Sequence, residues 1–166
     1  MNTDLRPGAQ TLQYAALDGR ERLHEAPKAS SDEAGPNNQL SAIEAAYASH
    51  GGMRRADEVV LSMRIGWEQP ISVLAKWIVS HAMFTIEWHS EILIPVFQID
   101  FPSRALRAGC KEIVAELDDV MDDWEMACWF ATSNPWLGGL PPVDVLHASW
   151  RSVAEAARVA RFIVRG

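Results

Sequence analysis

Histidine is the residue type best suited to metal binding and acid–base catalysis, and the chain contains five histidines. They stand at His24, His50, His81, His89 and His147. No two are four residues apart, and the HExxH pattern of zinc proteases is absent. His81 precedes a predicted β-hairpin and His89 lies in its turn, where an imidazole is more often hydrogen-bonded locally than bound to a metal. We therefore expect no metal site and no cofactor.

The candidate nucleophiles also lack the surroundings that catalysis requires. Cys110 and Cys128 fall on apolar helix faces, where a free thiol packs as a small hydrophobic group. The GxSxG turn of hydrolases and the glycine-rich loops that bind phosphates are both absent. The sequence therefore predicts no catalytic residues and a protein that is not an enzyme.

Arginine dominates the charge of the last predicted helix. Residues 150–166 contain four arginines and one glutamate, which is a net charge of +3. Arg151, Arg158 and Arg165 are spaced by seven residues and so lie near one face of a helix. The helix dipole accounts for Arg161 and Arg165 near the C-terminus but not for Arg151 near the start. The pattern indicates a face that recognises an anion or docks a partner.

An acidic cluster precedes this helix in the sequence. It consists of Glu116, Asp118, Asp119, Asp122, Asp123 and Glu125, with no basic residue among them. The spacing does not match an EF-hand calcium loop. Two interpretations stay open: a solvated loop whose acids favour the start of the next helix, or a surface that steers a basic partner.

Tryptophan is abundant, with seven residues, and indoles are enriched at the centres of protein interfaces. Trp129 falls about a quarter turn outside the apolar stripe of its helix. Trp136 lies in a predicted turn. We expect one or both of these indoles to be exposed to a partner, while most of the others belong to the core.

The elements that must position these side chains fit one domain with a tail. The chain has 166 residues and a formal net charge of −7. That charge argues against a general nucleic-acid binder, which needs a basic surface. No apolar run is long enough to span a membrane, and the N-terminus lacks the features of a secretory signal, so we expect a cytoplasmic location.

Composition and periodicity divide the chain into three parts. Residues 1–38 are polar and punctuated by Pro and Gly, which predicts a flexible arm. Residues 39–100 predict helices followed by a β-hairpin at about 83–98, and residues 101–166 return to a helical period. The expected fold is mainly α with a small β-hairpin. Because Pro95 cannot donate a backbone hydrogen bond, we expect its strand at the sheet edge, or this position facing outward.

Capping residues and proline set the expected helix starts. Ser41 is predicted to cap a helix within 40–49, a second helix covers 54–65, and Pro70 suits the first turn of a third. Asp122 or Asp123 should cap a later helix with a buried stripe of Trp124, Ala127, Cys128 and Ala131. Ser149 should cap the last helix, 150–162, whose inward residues are Val153, Ala156, Ala157 and Ala160.

Three motifs occur in order near the C-terminus. PVFQID stands at 95–100, the corner NPWLGGLPPVDVL at 134–146, and an arginine-bearing helix at 149–162. Over about 95–166 the chain thereby resembles the C-terminal domain of the Xre/MbcA/ParS family of bacterial antitoxins. The resemblance implies a helical toxin-binding domain whose last helix and tail enter or cover the active-site cleft of a toxin.

By this resemblance the protein would bind and neutralise a partner toxin, in this family often a RES-domain toxin that consumes NAD. The residues that the resemblance places at the toxin are Arg158, Arg161, Phe162, Arg165 and Gly166. The candidates drawn from the residues themselves are Trp129, Trp136 and Arg151.

A DNA-binding transcription regulator is the alternative function. Residues 54–98 would form a helix-turn-helix followed by a hairpin wing, and operator DNA would be the partner. The second of these helices offers only Lys76 as a cation, whereas reading of the major groove needs several polar or basic side chains. A homodimer also stays open.

Overall fold

The computed structural model describes residues 31–166, in which seven α-helices accompany two small antiparallel sheets. This confirms a mainly α fold with a β-hairpin. The helices are α1 Ser31–Tyr47, α2 Ala56–Met63, α3 Pro70–Val79, α4 Cys110–Leu117, α5 Asp123–Ala131, α6 Pro142–Leu146 and α7 Trp150–Arg165. The strands are β1 Met53–Arg55, β2 Ile86–Trp88, β3 Glu91–Pro95, β4 Ile99–Asp100 and β5 Ala105–Leu106.

Residues Gln39–Gly166 form one compact unit. Most of the predicted arm over 1–38 lies outside the described residues. Residues 31–38 are helical, as the first turns of α1. The helix predicted within 40–49 therefore starts earlier, and Ser41 lies inside it rather than at its cap, because propensity alone does not locate a helix end.

The larger sheet has the strand order β1–β3–β2. Trp88 pairs with Glu91, so that His89 and Ser90 make a two-residue turn, with φ values of 47° and 64°. Positive φ at both turn residues gives the twist that a tight hairpin needs. The predicted hairpin is confirmed.

One of the two alternatives predicted for Pro95, a place on an edge strand, is wrong. Its strand β3 is the central strand, not an edge, because Met53 of β1 pairs with Pro95 on the other side. The other alternative holds, because Val96 and not Pro95 donates to the Gly52 carbonyl beside β1, at 3.0 Å, and β2 pairs with β3 only as far as Leu93. Among the described residues, no strand therefore lies opposite the Pro95 nitrogen. The segment 53–55 shows no alternation long enough to predict a strand, so β1 was missed and the helix expected from residue 54 begins at Ala56.

Helix α5 begins as expected but turns a different face inward. The Asp122 carboxylate accepts a hydrogen bond from the Glu125 amide at 2.8 Å, and the Glu125 carboxylate accepts one from the Asp122 amide at 2.9 Å. The two bonds together make a capping box. Ala127 is buried as predicted, but Trp124 and Cys128 are only half-buried. The fully buried residues of α5 are Met126, Ala127 and Phe130.

Helix α7 is longer than predicted and lacks the predicted cap. It runs to Arg165, and the Ser149 hydroxyl bonds the Ser152 hydroxyl at 2.8 Å instead of a backbone amide. The inward face is as expected at Val153, Ala156 and Ala157, whereas Ala160 is half-buried at the margin.

Two hydrophobic clusters stabilise the compact unit. One joins α1 to α4–α7 around Phe84, Phe97 and Phe130, and the Tyr47 hydroxyl donates to the Ala127 carbonyl at 2.7 Å within it. The other fills the space between α2, α3 and the larger sheet, with Met63 and Leu74 among its buried members. Since Phe84 and Phe97 pack against Phe130, the first cluster crosses the boundary expected between 39–100 and 101–166.

Candidate functional site

An apolar groove of 260 Å³ lies between the corner that follows α5 and the exposed side of α7. Trp129 and Trp136 line one wall. Val159, Ala160 and Ile163 of α7 line the other, one helical turn apart at 159 and 163. The structure thus brings together the two tryptophans that were predicted as partner contacts, and sets them against the last helix.

The corner itself is held rigid by short-range hydrogen bonds. The Asn134 side chain accepts from the Trp136 amide at 2.9 Å, and the Ser133 hydroxyl donates to the Gly139 carbonyl at 2.6 Å. Gly138 and Gly139 have φ values of 67° and 84°, a region that L-residues with a Cβ rarely occupy. These constraints explain why the asparagine and the two glycines occur at this corner, and they present the Trp136 indole to solvent.

Exposed apolar side chains continue from the groove along the end of α7. Phe162, Ile163 and Val164 are 75%, 67% and 56% exposed, and Trp136 is 68% exposed. Several large apolar side chains exposed beside an apolar groove are typical of an interaction site. Phe162 was predicted as a contact, whereas Val159 and Ile163 were missed. Their signal in the sequence was an apolar pair four residues apart, off the stripe that faces the core.

The arginines of α7 are engaged within the chain. Arg158 Nε lies 3.3 Å from Glu116 Oε1, and its guanidinium also pairs with Glu155 of its own helix. Arg161 Nη1 lies 2.6 Å from Glu116 Oε2. The hydrogen bonds that the Arg158 guanidinium donates to Glu155 and then to Glu116 hold its pKa above the ordinary value. Glu116 therefore ties two predicted contact residues to α4.

The remaining predicted contacts of α7 differ in their surroundings. Arg165 Nη2 pairs with Asp119 Oδ2 at 2.9 Å. Arg151 lies over the ring of the neighbouring Trp150, with its guanidinium carbon 4.8 Å from the ring centroid. Gly166 is exposed and its amide donates to the Phe162 carbonyl at 3.1 Å. The guanidinium groups of Arg158, Arg161 and Arg165 thus need to exchange ion pairs before they could bind a partner.

The acidic cluster has structural roles that explain its density. Glu116 and Asp119 bind the arginines of α7, and Asp122 caps α5. Asp118 Oδ1 lies 3.1 Å from His81 Nδ1, and Asp123 Oδ2 accepts from the Thr85 amide at 3.1 Å. Asp122 thus favours the start of a helix, as the first interpretation expects, and Glu116 and Asp119 face the arginines of α7 in the same chain. Steering of a basic partner by this cluster stays a prediction.

The thiols and imidazoles form no metal site in the part of the chain that the structure describes. Burial raises the pKa of the Cys110 thiol to about 12. Burial is also the largest cause of the raised pKa of the half-buried Cys128, followed by the charges of Asp122 and Glu125. Neither thiol has the depressed pKa of an activated nucleophile.

No protein-family model, no curated protein and no solved structure matches the chain. Within the described residues, no helix combines the length and the apolarity that crossing a membrane requires.

The elements of the alternative, DNA-binding function are present in the expected order. Helices α2 and α3 are followed by the β2–β3 hairpin, as in a helix-turn-helix with a wing. The solvent side of α3, however, presents Ile71 and Val79, which are 66% and 80% exposed. Lys76 is its only cation. The face that would enter a DNA groove is therefore mostly apolar.

Proposed function

We propose that this protein is an antitoxin-like binding protein that neutralises a partner toxin in the cytoplasm. The observation that carries the proposal is the apolar groove, because it joins the corner motif of the family resemblance to the helix that the family uses for its toxin. A RES-type toxin that consumes NAD is the partner favoured by the resemblance.

Neutralisation follows from how such a surface binds. Trp136, Phe162 and Ile163 supply apolar area that loses water when a partner covers it, and residues of this kind dominate interface energies. A partner seated there would have its cleft occluded by the end of α7. Arg158, Arg161 and Arg165 would then set orientation more than affinity, since each must give up an intramolecular carboxylate to pair with the partner.

The test is inhibition and binding of the product of the adjacent reading frame. Co-expression should restore growth in cells that express this toxin, and the two proteins should purify together. We expect Trp136→Ala and Ile163→Ala each to weaken binding by about tenfold or more, as for residues at the centre of an interface.

Ile71→Ala is the matched control for Ile163→Ala. The two isoleucines are equally exposed, at 66% and 67%, and both lie on helices, but Ile71 lies on α3, outside the groove. The control should leave binding unchanged. Equal losses in the two variants, or no loss in either, would show that the groove is not the binding site.

A DNA-binding regulator is the second candidate, and the order of α2, α3 and the β2–β3 hairpin favours it. Retention of the operator region in a gel-shift assay would support this function. The apolar face of α3 makes it the weaker of the two candidates.

A further inference from the structure

A second cavity, of 480 Å³, lies away from the groove, between the turn that follows α1 and helix α6. Its polar lining comes from three segments: His50 follows α1, Arg107 precedes α4, and Asp144 and His147 belong to α6 and its end. Phe97, Val143 and Leu146 supply apolar wall. The volume falls within the range of small-molecule sites in proteins.

Arg107 is the positive charge of this cavity. Its Nε donates to the Phe97 carbonyl at 2.6 Å, and its Nη1 lies 3.1 Å from His147 Nδ1. Because a guanidinium can only donate, His147 Nδ1 accepts and the ring proton stands on Nε2. The contacts fix the orientation of the guanidinium but leave Nη2 without a hydrogen-bond partner among the described residues. The half-buried guanidinium is thus held in one orientation, and its Nη2 group can donate hydrogen bonds to a ligand.

The carboxylates nearby do not neutralise this charge directly. Asp144 lines the cavity, but its Oδ1 lies 2.7 Å from His50 Nε2, so its partner is an imidazole and not Arg107. Asp100 has its pKa lowered, first by a hydrogen bond from Ser103 and more weakly by the charge of Arg107. In the part of the chain that the structure describes, no carboxylate oxygen lies within 4.0 Å of the Arg107 guanidinium.

We propose that this cavity binds a small organic anion: a phosphate monoester or a carboxylate carried on a compact apolar group. The two anionic oxygens that these groups share match the donors of a guanidinium, and the Nε2–H of His147 adds a donor. The apolar wall accounts for the rest of the ligand. The site does not depend on the partner-binding groove.

Isothermal titration calorimetry of the full chain tests this proposal with two probes. Phenyl phosphate represents the phosphate monoesters and benzoate represents the carboxylates. Comparison of phenyl phosphate with inorganic phosphate shows whether the apolar group contributes to affinity. We expect saturable binding of phenyl phosphate, benzoate or both. No saturation by either at concentrations up to about 10 mM would overturn the proposal.

Variants locate the site. Arg107→Lys keeps the charge but loses the planar fork, so we expect binding to weaken at least about tenfold. Lys111→Ala is the control, since it removes one positive charge from an exposed position outside the cavity. His147 is exposed, so His147→Ala should fold and should weaken binding even if the Arg107 variant is unstable. Equal affinities in the His147→Ala and Lys111→Ala proteins would contradict the assignment.

Discussion

Gln98 is the fully buried polar side chain of the described residues, and every hydrogen bond it makes is to backbone. Its Oε1 accepts from the Phe84 amide at 3.0 Å, and its Nε2 donates to the Phe84 carbonyl at 2.9 Å and more weakly to that of Pro95. The Gln98 side chain thus makes the two backbone hydrogen bonds with Phe84 that a neighbouring strand would otherwise make. This gives a physical reason for the glutamine of the PVFQID motif.

Replacing Gln98 should therefore be costly. Gln98→Ala leaves the amide and carbonyl of Phe84 buried without partners, and we expect the free energy of unfolding to fall by about 2–4 kcal/mol. Chemical denaturation followed by tryptophan fluorescence measures this. Gln39→Ala, at an exposed helical glutamine, should cost less than about 1 kcal/mol. A Gln98→Ala protein as stable as the control would mean that these hydrogen bonds contribute nothing.

At the scale of elements, the start of α7 packs against the start of α4, at the glycine that precedes α4. Gly109 precedes α4 with φ of 81°, and a Cβ there would collide with the Trp150 indole at the start of α7. This close approach lets Trp150 cover the N-terminal end of α4 while Val153 and Ala157 pack into the core. Both the backbone conformation and the space thus require glycine.

Gly109→Ala should consequently destabilise the protein more than an ordinary glycine substitution. We expect a loss of about 2–4 kcal/mol, from backbone strain together with displacement of the indole. Gly52→Ala is the control, because Gly52 also has a positive φ, of 70°, but nothing lies within 4 Å of its added Cβ. That variant should lose only about 1 kcal/mol. Equal melting temperatures for the two variants would show that the Trp150 indole moves aside without a cost in stability.

The sequence predicted those elements whose signals are local. Pro70 and Asp122 start their helices as expected, and the alternation of apolar and polar residues over 84–88, with the apolar run that follows the turn, predicted the hairpin. The strand β1 and the buried face of α5 depend on partners distant in the chain, so local periodicity could not supply them. For the same reason, the pairing of Arg161 with Glu116 and the joining of Arg107 to His147 appear only in the folded chain.

At the scale of the whole molecule, charge separates the two candidate functions. The chain carries a formal net charge of −7, and the arginines of α7 are largely matched by its own acidic cluster. A DNA-binding protein gains most of its affinity by releasing counterions from phosphates, which requires uncompensated basic residues. The exposed face of α3 offers Ile71 and Val79 in place of such residues.

We therefore expect no retardation of the region upstream of this reading frame in a gel-shift assay at about 150 mM salt. The double variant Ile71→Arg, Val79→Arg serves as a matched control, since it adds two cations to the exposed face of α3. It should bind DNA weakly and without sequence preference, which shows that charge rather than architecture is what the natural face lacks. If the unmodified protein is retarded and Lys76→Ala abolishes this, α3 reads DNA and the regulator displaces the antitoxin as the better description.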